Sequence, residues 1–259
     1  MRNRSVGSRL AVSSFAGLIL VILAAAAAVL SLSSVIQAQT APQSRAATPD
    51  LSGIWSGIRG DPNGRFAQEE PPLQPWAMEI YKRNRAGVIN DTGLDHLDPV
   101  TFCFPVGPTR AMMQRQFQIV QLPKEVLILF EWDTLVRRIY MDGREHPENW
   151  PFGWMGHSTG RWDGDTLVVD TVGLNDRTWL DRAGTPHSDQ LHVVERFRRV
   201  NPDTLEIEFL FDDPKAFTKP WGAKKVYRPG PEILEHIICE EHLQTGKYRE
   251  AHWPPGEEQ

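Results

Sequence analysis

The feature that most constrains the fold is a series of short segments, starting at Phe117, in which apolar and polar residues alternate. This period of two is typical of β-strands that bury one face and expose the other. With a short strand around Trp55, the segments predict about ten strands. They read FQIVQL, EVLILFEW, LVRRIYMD, GHSTGRW, DTLVVDTV, LHVVERFRRV, TLEIEFLF, KKVYR and EILEHIICEE.

Most of the links between these segments are short and rich in turn-forming residues, and Asp163-Gly164 is the clearest tight-hairpin signal. Consecutive strands joined in this way pair antiparallel, and a long meander protects its edges by closing on itself. We therefore predict a mainly β fold, an antiparallel meander that closes into a barrel of about 8–10 strands. The segment PWAMEIYKRNRAG predicts one short helix, and long loops account for much of the remainder.

The N-terminus has the layout of a secretory signal peptide. Three arginines lie within the first nine residues, an apolar run follows, and small and polar residues lead to Ala38. We expect cleavage near Ala38, with an uncleaved membrane anchor as the alternative. The remaining divisions are a flexible leader over residues 39–49, a barrel domain over residues 50–245 and a polar tail over residues 246–259.

Removal of residues 1–38 would leave 25 basic and 33 acidic residues, a net charge of −8. An acidic chain is a poor candidate for binding nucleic acid or an anionic membrane surface. We therefore expect no nucleic acid partner, and no membrane contact beyond the export signal. Export also predicts a periplasmic or extracellular location, in which Cys103 and Cys239 can pair as a disulfide or remain as two separate buried thiols.

Two groups of residues carry a family resemblance. Gly53-Ile54-Trp55 resembles the Gly-x-Trp opening of lipocalins and other calycins. The segments GHSTGRWDGDTLVVDTVGLNDRTWLDRAGTPHSDQLHVVERFRRV, DDPKAFTKPW and ICEE resemble a largely uncharacterised family of secreted bacterial proteins. The resemblance runs from about Asp50 to about His242. It implies export and a calycin-like barrel, but no established activity.

The segment between two predicted strands, residues 173–190, is longer than an ordinary connection, and long ordered loops are often functional. His187 with Asp176 and Asp189 would supply an acid–base site. His157, His187 and His192 would supply a divalent metal site if loop and strands bring them together. Alternation places His192 and Glu195 on opposite faces of their strand, which argues against a metal pair formed by those two residues.

Ligand binding is the main functional prediction, because a barrel of this size can hold a small molecule and several tryptophans lie in loops. We expect a partly apolar small molecule at a polar site at the barrel mouth. An acid–base or metal-dependent enzyme of hydrolase, isomerase or lyase type is the first alternative, and a structural protein of the envelope is the second. The candidate ligand-binding residues are Trp154, Arg161, Arg177, Trp179 and Arg110, the last of which could instead brace a loop.

Overall fold

The structure is a computed structural model, and it describes residues 48–57, 65–90, 98–231 and 238–239. The predicted signal peptide, almost all of the leader and the polar tail lie outside these residues. So does most of the predicted strand EILEHIICEE. The described strands are β1 Gly53–Gly57, β2 Phe117–Gln121, β3 Glu125–Phe130, β4 Val136–Tyr140, β5 His157–Asp163, β6 Thr166–Val172, β7 His192–Asn201, β8 Thr204–Asp212 and β9 Trp221–Pro229.

The nine strands form one closed barrel in chain order, and β9 pairs with β1 to complete the ring. This confirms the predicted mainly β, calycin-like barrel. The Asp163-Gly164 turn forms as predicted, with Asp163 opposite Thr166 and Gly164 at φ +62°. Gly164 tolerates this left-handed conformation because it has no Cβ.

One pairing differs from the predicted antiparallel meander. β4 and β5 run parallel, through Ile139 opposite Ser158 and Tyr140 opposite Thr159. A parallel pair needs a connection long enough to bring the chain back to the starting end of the first strand. Residues 141–156 provide that return, and Gly153 in this connection exchanges backbone hydrogen bonds with Gly173 and Asn175, which follow β6.

The helical content is greater than predicted. Helix α1, Pro75–Asn90, forms where expected, but it continues past Gly87. Ala77, Tyr81 and Asn84 form its buried face, whereas Trp76 is exposed. A 3-10 helix, Pro99–Phe102, and helix α2, Pro108–Gln114, occupy a segment expected to be irregular. Neither helix α1 nor α2 in the described chain has the length and apolar character needed to span a membrane.

The barrel interior is largely apolar, because alternate residues of each strand point inward. Phe117, Phe130 and Tyr227 lie in ring contact in the core, next to aliphatic side chains from β2, β3, β6 and β8. Cys103 and Cys239 form a disulfide, which is one of the two alternatives that the sequence analysis left open. This bond joins the end of the 3-10 helix to the last described residue.

Candidate functional site

The long loop of residues 173–190 is fastened by two buried carboxylates. Asp181 accepts hydrogen bonds from the backbone N–H groups of Phe66 and Thr185, at 2.9 and 3.1 Å. Asp213, which follows β8, accepts from both the backbone N–H and the hydroxyl of Ser188, at 2.6 and 2.7 Å. Burial raises the pKa of Asp181, although these hydrogen bonds oppose the rise. The carboxylates therefore order the loop from within the protein.

His187 is held in the same way. Its Nδ1 lies 3.0 Å from the carbonyl oxygen of Ser188, and its Nε2 lies 2.7 Å from the hydroxyl of Thr178. A carbonyl only accepts, so Nδ1 donates, and in the neutral ring Nε2 accepts from Thr178. Burial lowers the pKa of His187, which favours this neutral form. Both ring nitrogens are therefore occupied by protein groups.

The structure does not gather the predicted acid–base residues into one reacting group. Asp176 and Asp189 are exposed, whereas His187 is buried. Asp189 forms an ion pair with Lys215 at 2.8 Å, and the hydrogen bond from Lys215 lowers the pKa of Asp189. An exposed pair of this kind is common on protein surfaces.

The predicted ligand-binding residues are also dispersed. Arg110 is buried, makes a two-pronged contact with Asp98 at 2.9 and 2.6 Å, and lies over the ring of Trp179. Arg110 therefore braces a loop, which is one of the two roles predicted for it. Trp154 stacks on Phe104 at a centroid distance of 5.2 Å. The remaining two candidates, Arg161 and Arg177, are exposed.

A different group of side chains meets on the outer face of the barrel. We call it the histidine–aspartate chain, and it consists of His157, His146, Asp170 and His192. The Nδ1 atoms of His157 and His146 lie 2.8 Å apart. Nε2 of His146 lies 2.9 Å from one oxygen of Asp170, and Nε2 of His192 lies 3.0 Å from the other. The hydrogen-bonded chain is thus continuous across all four residues.

Strand register explains this convergence. Asp170 of β6 lies between Thr159 of β5 and Val194 of β7. His157 and His192 lie near the ends of the same two strands, and point to the same outer face as Asp170. The fourth member, His146, comes from residues 141–156, the connection that returns the chain to the start of the parallel strand.

The chain has a buried end and an accessible end. His157 is 2 % exposed. The side chains of His146, Asp170 and His192 are 24 %, 31 % and 39 % exposed. Tyr140 stacks on His157 at 5.2 Å, and Trp150 covers it at 4.6 Å. An incoming molecule would therefore meet His192, Asp170 and His146 first.

The protonation of the chain differs from one end to the other. Burial, followed by the charges of His146 and Arg144, lowers the pKa of His157. The hydrogen bond to Asp170 raises the pKa of His192 despite partial burial. The same hydrogen bond is the main cause that lowers the pKa of Asp170. The buried end thus favours a neutral imidazole, and the accessible end favours an ion pair.

Two members of this chain, His146 and Asp170, escaped the sequence analysis. Asp170 did leave a signal, because it is the one carboxylate of the strand TLVVDTV, whose other residues are aliphatic or threonine. His146 lies in a connection without periodicity, so its position depends on the path of residues 141–156. Of the predicted metal residues, His157 and His192 belong to the chain and His187 does not.

A second polar group lies inside the barrel, and we call it the interior polar centre. Its core is Arg137 of β4 and Glu195 of β7, and both terminal guanidinium nitrogens of Arg137 donate to the carboxylate of Glu195. Arg137 also donates to Ser158 of β5 at 3.2 Å and to Thr171 of β6 at 2.8 Å. Glu195 points inward and His192 outward, so the prediction that they diverge is confirmed.

In the described part of the chain, no group of three or more His, Cys, Asp or Glu side chains is arranged to hold a metal ion. The predicted trio of His157, His187 and His192 is not brought together. No protein-family model matches the chain, and no curated protein matches it. The chemistry of the histidine–aspartate chain therefore carries the functional argument.

Proposed function

We propose that this protein is an exported β-barrel that binds a small molecule at the histidine–aspartate chain, at one end of the barrel. A single observation carries the proposal. Three imidazoles and one carboxylate, from three strands and one connection, form a continuous hydrogen-bonded group whose accessible members are His146, Asp170 and His192. Convergent polar groups beside aromatic rings are typical of ligand sites.

The neighbouring aromatic residues support a ligand that is partly apolar. Trp150 covers His157 and is itself 37 % exposed, and Phe152 follows it at the surface. Aromatic surfaces of this kind bury ligand carbon atoms, while the imidazoles and the carboxylate fix its polar atoms. The proposal therefore keeps the predicted ligand class and moves the polar site from residues 173–190 to the outer face of β5, β6 and β7.

Export is part of the proposal. It is supported by the layout of residues 1–38, by the family resemblance, and by a disulfide of the kind that forms in oxidising compartments. The same features support a periplasmic or extracellular location.

Native mass spectrometry of protein purified from its own cells tests the proposed site. We expect a bound small molecule on the wild-type chain and its loss in Asp170→Asn, which removes the carboxylate charge between His146 and His192. Asp165→Asn is the matched control, because Asp165 is an exposed carboxylate in the turn that precedes the same strand. Retention of the molecule by Asp170→Asn, or a wild-type chain without any adduct, would contradict the proposal.

An acid–base enzyme is the second candidate, and the hydrogen-bond order of the chain favours it. When His146 donates from Nε2 to Asp170 and is neutral, its Nδ1 accepts a hydrogen bond from His157 Nδ1–H. At the accessible end, Asp170 contacts Nε2 of His192, so proton exchange with a bound molecule would use the other ring nitrogen, Nδ1. His192 would become positive beside the carboxylate of Asp170, an arrangement suited to general base catalysis.

Turnover of the co-purifying molecule distinguishes the two candidates. An enzyme would convert that molecule to a product, seen as a change of mass for a hydrolase or lyase and as a change of NMR spectrum for an isomerase, and His192→Gln would slow the conversion. A binding protein would release it intact from both chains. Absence of conversion in the wild-type protein, both by mass and by NMR spectrum, therefore excludes the enzyme for that molecule and leaves the binding function.

A further inference from the structure

The interior polar centre and the histidine–aspartate chain lie on opposite faces of the same strands. Ser158 directly follows His157 in β5, and Thr171 directly follows Asp170 in β6. Because successive side chains of a strand point to opposite faces, each contact of Arg137 inside the barrel fixes a strand position next to a chain residue outside it.

Arg137 therefore links the four strands beneath the site. It belongs to β4 and contacts Ser158 of β5, Thr171 of β6 and Glu195 of β7. Ser158 and Thr171 are themselves within hydrogen-bonding distance, at 2.9 Å. These contacts span three successive strand boundaries at one level of the barrel.

The first of those boundaries needs such a link most. β4 and β5 are joined by only two residue pairs, Ile139 with Ser158 and Tyr140 with Thr159. Tyr140 is also the ring that stacks on His157. A small slide of β4 along β5 would therefore separate Tyr140 from His157 and would also disturb residues 141–156, which carry His146.

We propose that Arg137 is a positioning residue, which holds β4 to β7 so that the histidine–aspartate chain on the outer face stays hydrogen-bonded. This inference rests on the proposed function, because it assigns a role to that same site. An arginine suits the role because its planar fork donates in several fixed directions at once. A lysine at this position would keep the charge and lose the fork.

NMR titration of the histidine side chains tests the inference without a ligand. In the wild-type protein we expect His192 to titrate above the ordinary imidazole value of about 6.5, and His157 below it. The titratable and charged groups facing them are Asp170 and Asp212 for His192, and His146 and Arg144 for His157. In Arg137→Lys, both midpoints should move toward 6.5.

Ile139→Ala is the matched control, because Ile139 is the next inward-facing residue of β4 and is fully buried. It should lower the melting temperature and leave both titration midpoints unchanged. The double variant Arg137→Met/Glu195→Met provides a second test in case Arg137→Lys does not fold. It removes both buried charges together, and it should fold while showing the same shift in both midpoints.

The possible outcomes separate the two proposals. If the wild-type midpoints of His157 and His192 are both ordinary, the histidine–aspartate chain itself is refuted, and the proposed site fails with it. If the wild-type midpoints are displaced and neither Arg137 variant moves them, the site stands and the role of Arg137 is overturned. An equal shift of the midpoints in Ile139→Ala would also overturn the role of Arg137, because any loss of core packing would then be enough to move them.

Discussion

Substitution of Arg137 by methionine should lower the stability of the barrel strongly. The side chains of Arg137 and Glu195 are 1 % and 0 % exposed, so neither charge has access to water. Removing one partner leaves the other charge buried and uncompensated, which costs about 3–5 kcal/mol. Arg137→Met and Glu195→Met should each lower the free energy of unfolding by about this amount.

The double variant should be far more stable than the sum of the two single effects. It removes both charges together, and Ser158 and Thr171 can still hydrogen-bond to each other. Replacement of a buried ion pair by apolar residues of similar volume is often neutral or stabilising. We therefore expect the double variant to lie within about 2 kcal/mol of the wild-type protein.

Urea unfolding with the disulfide intact measures all four free energies and completes the double-mutant cycle. Two single losses of at least about 3 kcal/mol and a double loss of at most about 2 kcal/mol predict a coupling energy of at least about 4 kcal/mol. Single variants that lose less than about 1 kcal/mol, as for an exposed pair, would refute the assignment of a buried interior ion pair. A double variant as unstable as the sum of the single variants would refute the reasoning about charge compensation.

Three further predictions concern pH, packing and the disulfide. The pKa of His192 is raised in the folded state, so His192 contributes stability that is fully present below its unfolded-state pKa of about 6.5. This stability is lost as the pH rises through the folded-state pKa. His192→Gln should therefore destabilise the protein more at pH 5 than at pH 8 in thermal melts. Gly173→Ala should cost about 1–2 kcal/mol and change tryptophan fluorescence, because φ is +72° and the new Cβ would lie 2.8 Å from Trp150. Replacement of Cys103 and Cys239 by serine should lower the free energy of unfolding by about 2–5 kcal/mol in urea melts.

Local sequence patterns predicted most of the barrel because its strands alternate and are mostly linked by short turns. The same alternation correctly separated His192 from Glu195. It did not reveal the parallel pairing of β4 with β5, since residues 141–156 have no period and their path is set by contacts such as those of Trp150 with Gly173 and His157. Such contacts join positions distant in sequence, and local patterns do not encode them.

The candidate site was only partly predictable for the same reason. His157 and His192 stood out as histidines near predicted strands, yet their common partner is Asp170, and the chain is completed by His146 from residues 141–156. The polar residues of 173–190 were expected to form the site because many charges lie there. In the structure, the buried carboxylates of Asp181 and Asp213 accept hydrogen bonds from the loop and order it.

The most direct test of the central claim is an NMR comparison of the histidine side chains in the protein with and without its co-purifying small molecule. Binding at the histidine–aspartate chain predicts that the signals of His146 and His192 move on addition of the molecule. His187, buried with both nitrogens bonded to protein groups, should not move. Movement of His187 alone, or no movement of His146 and His192 when the molecule binds, would contradict the account.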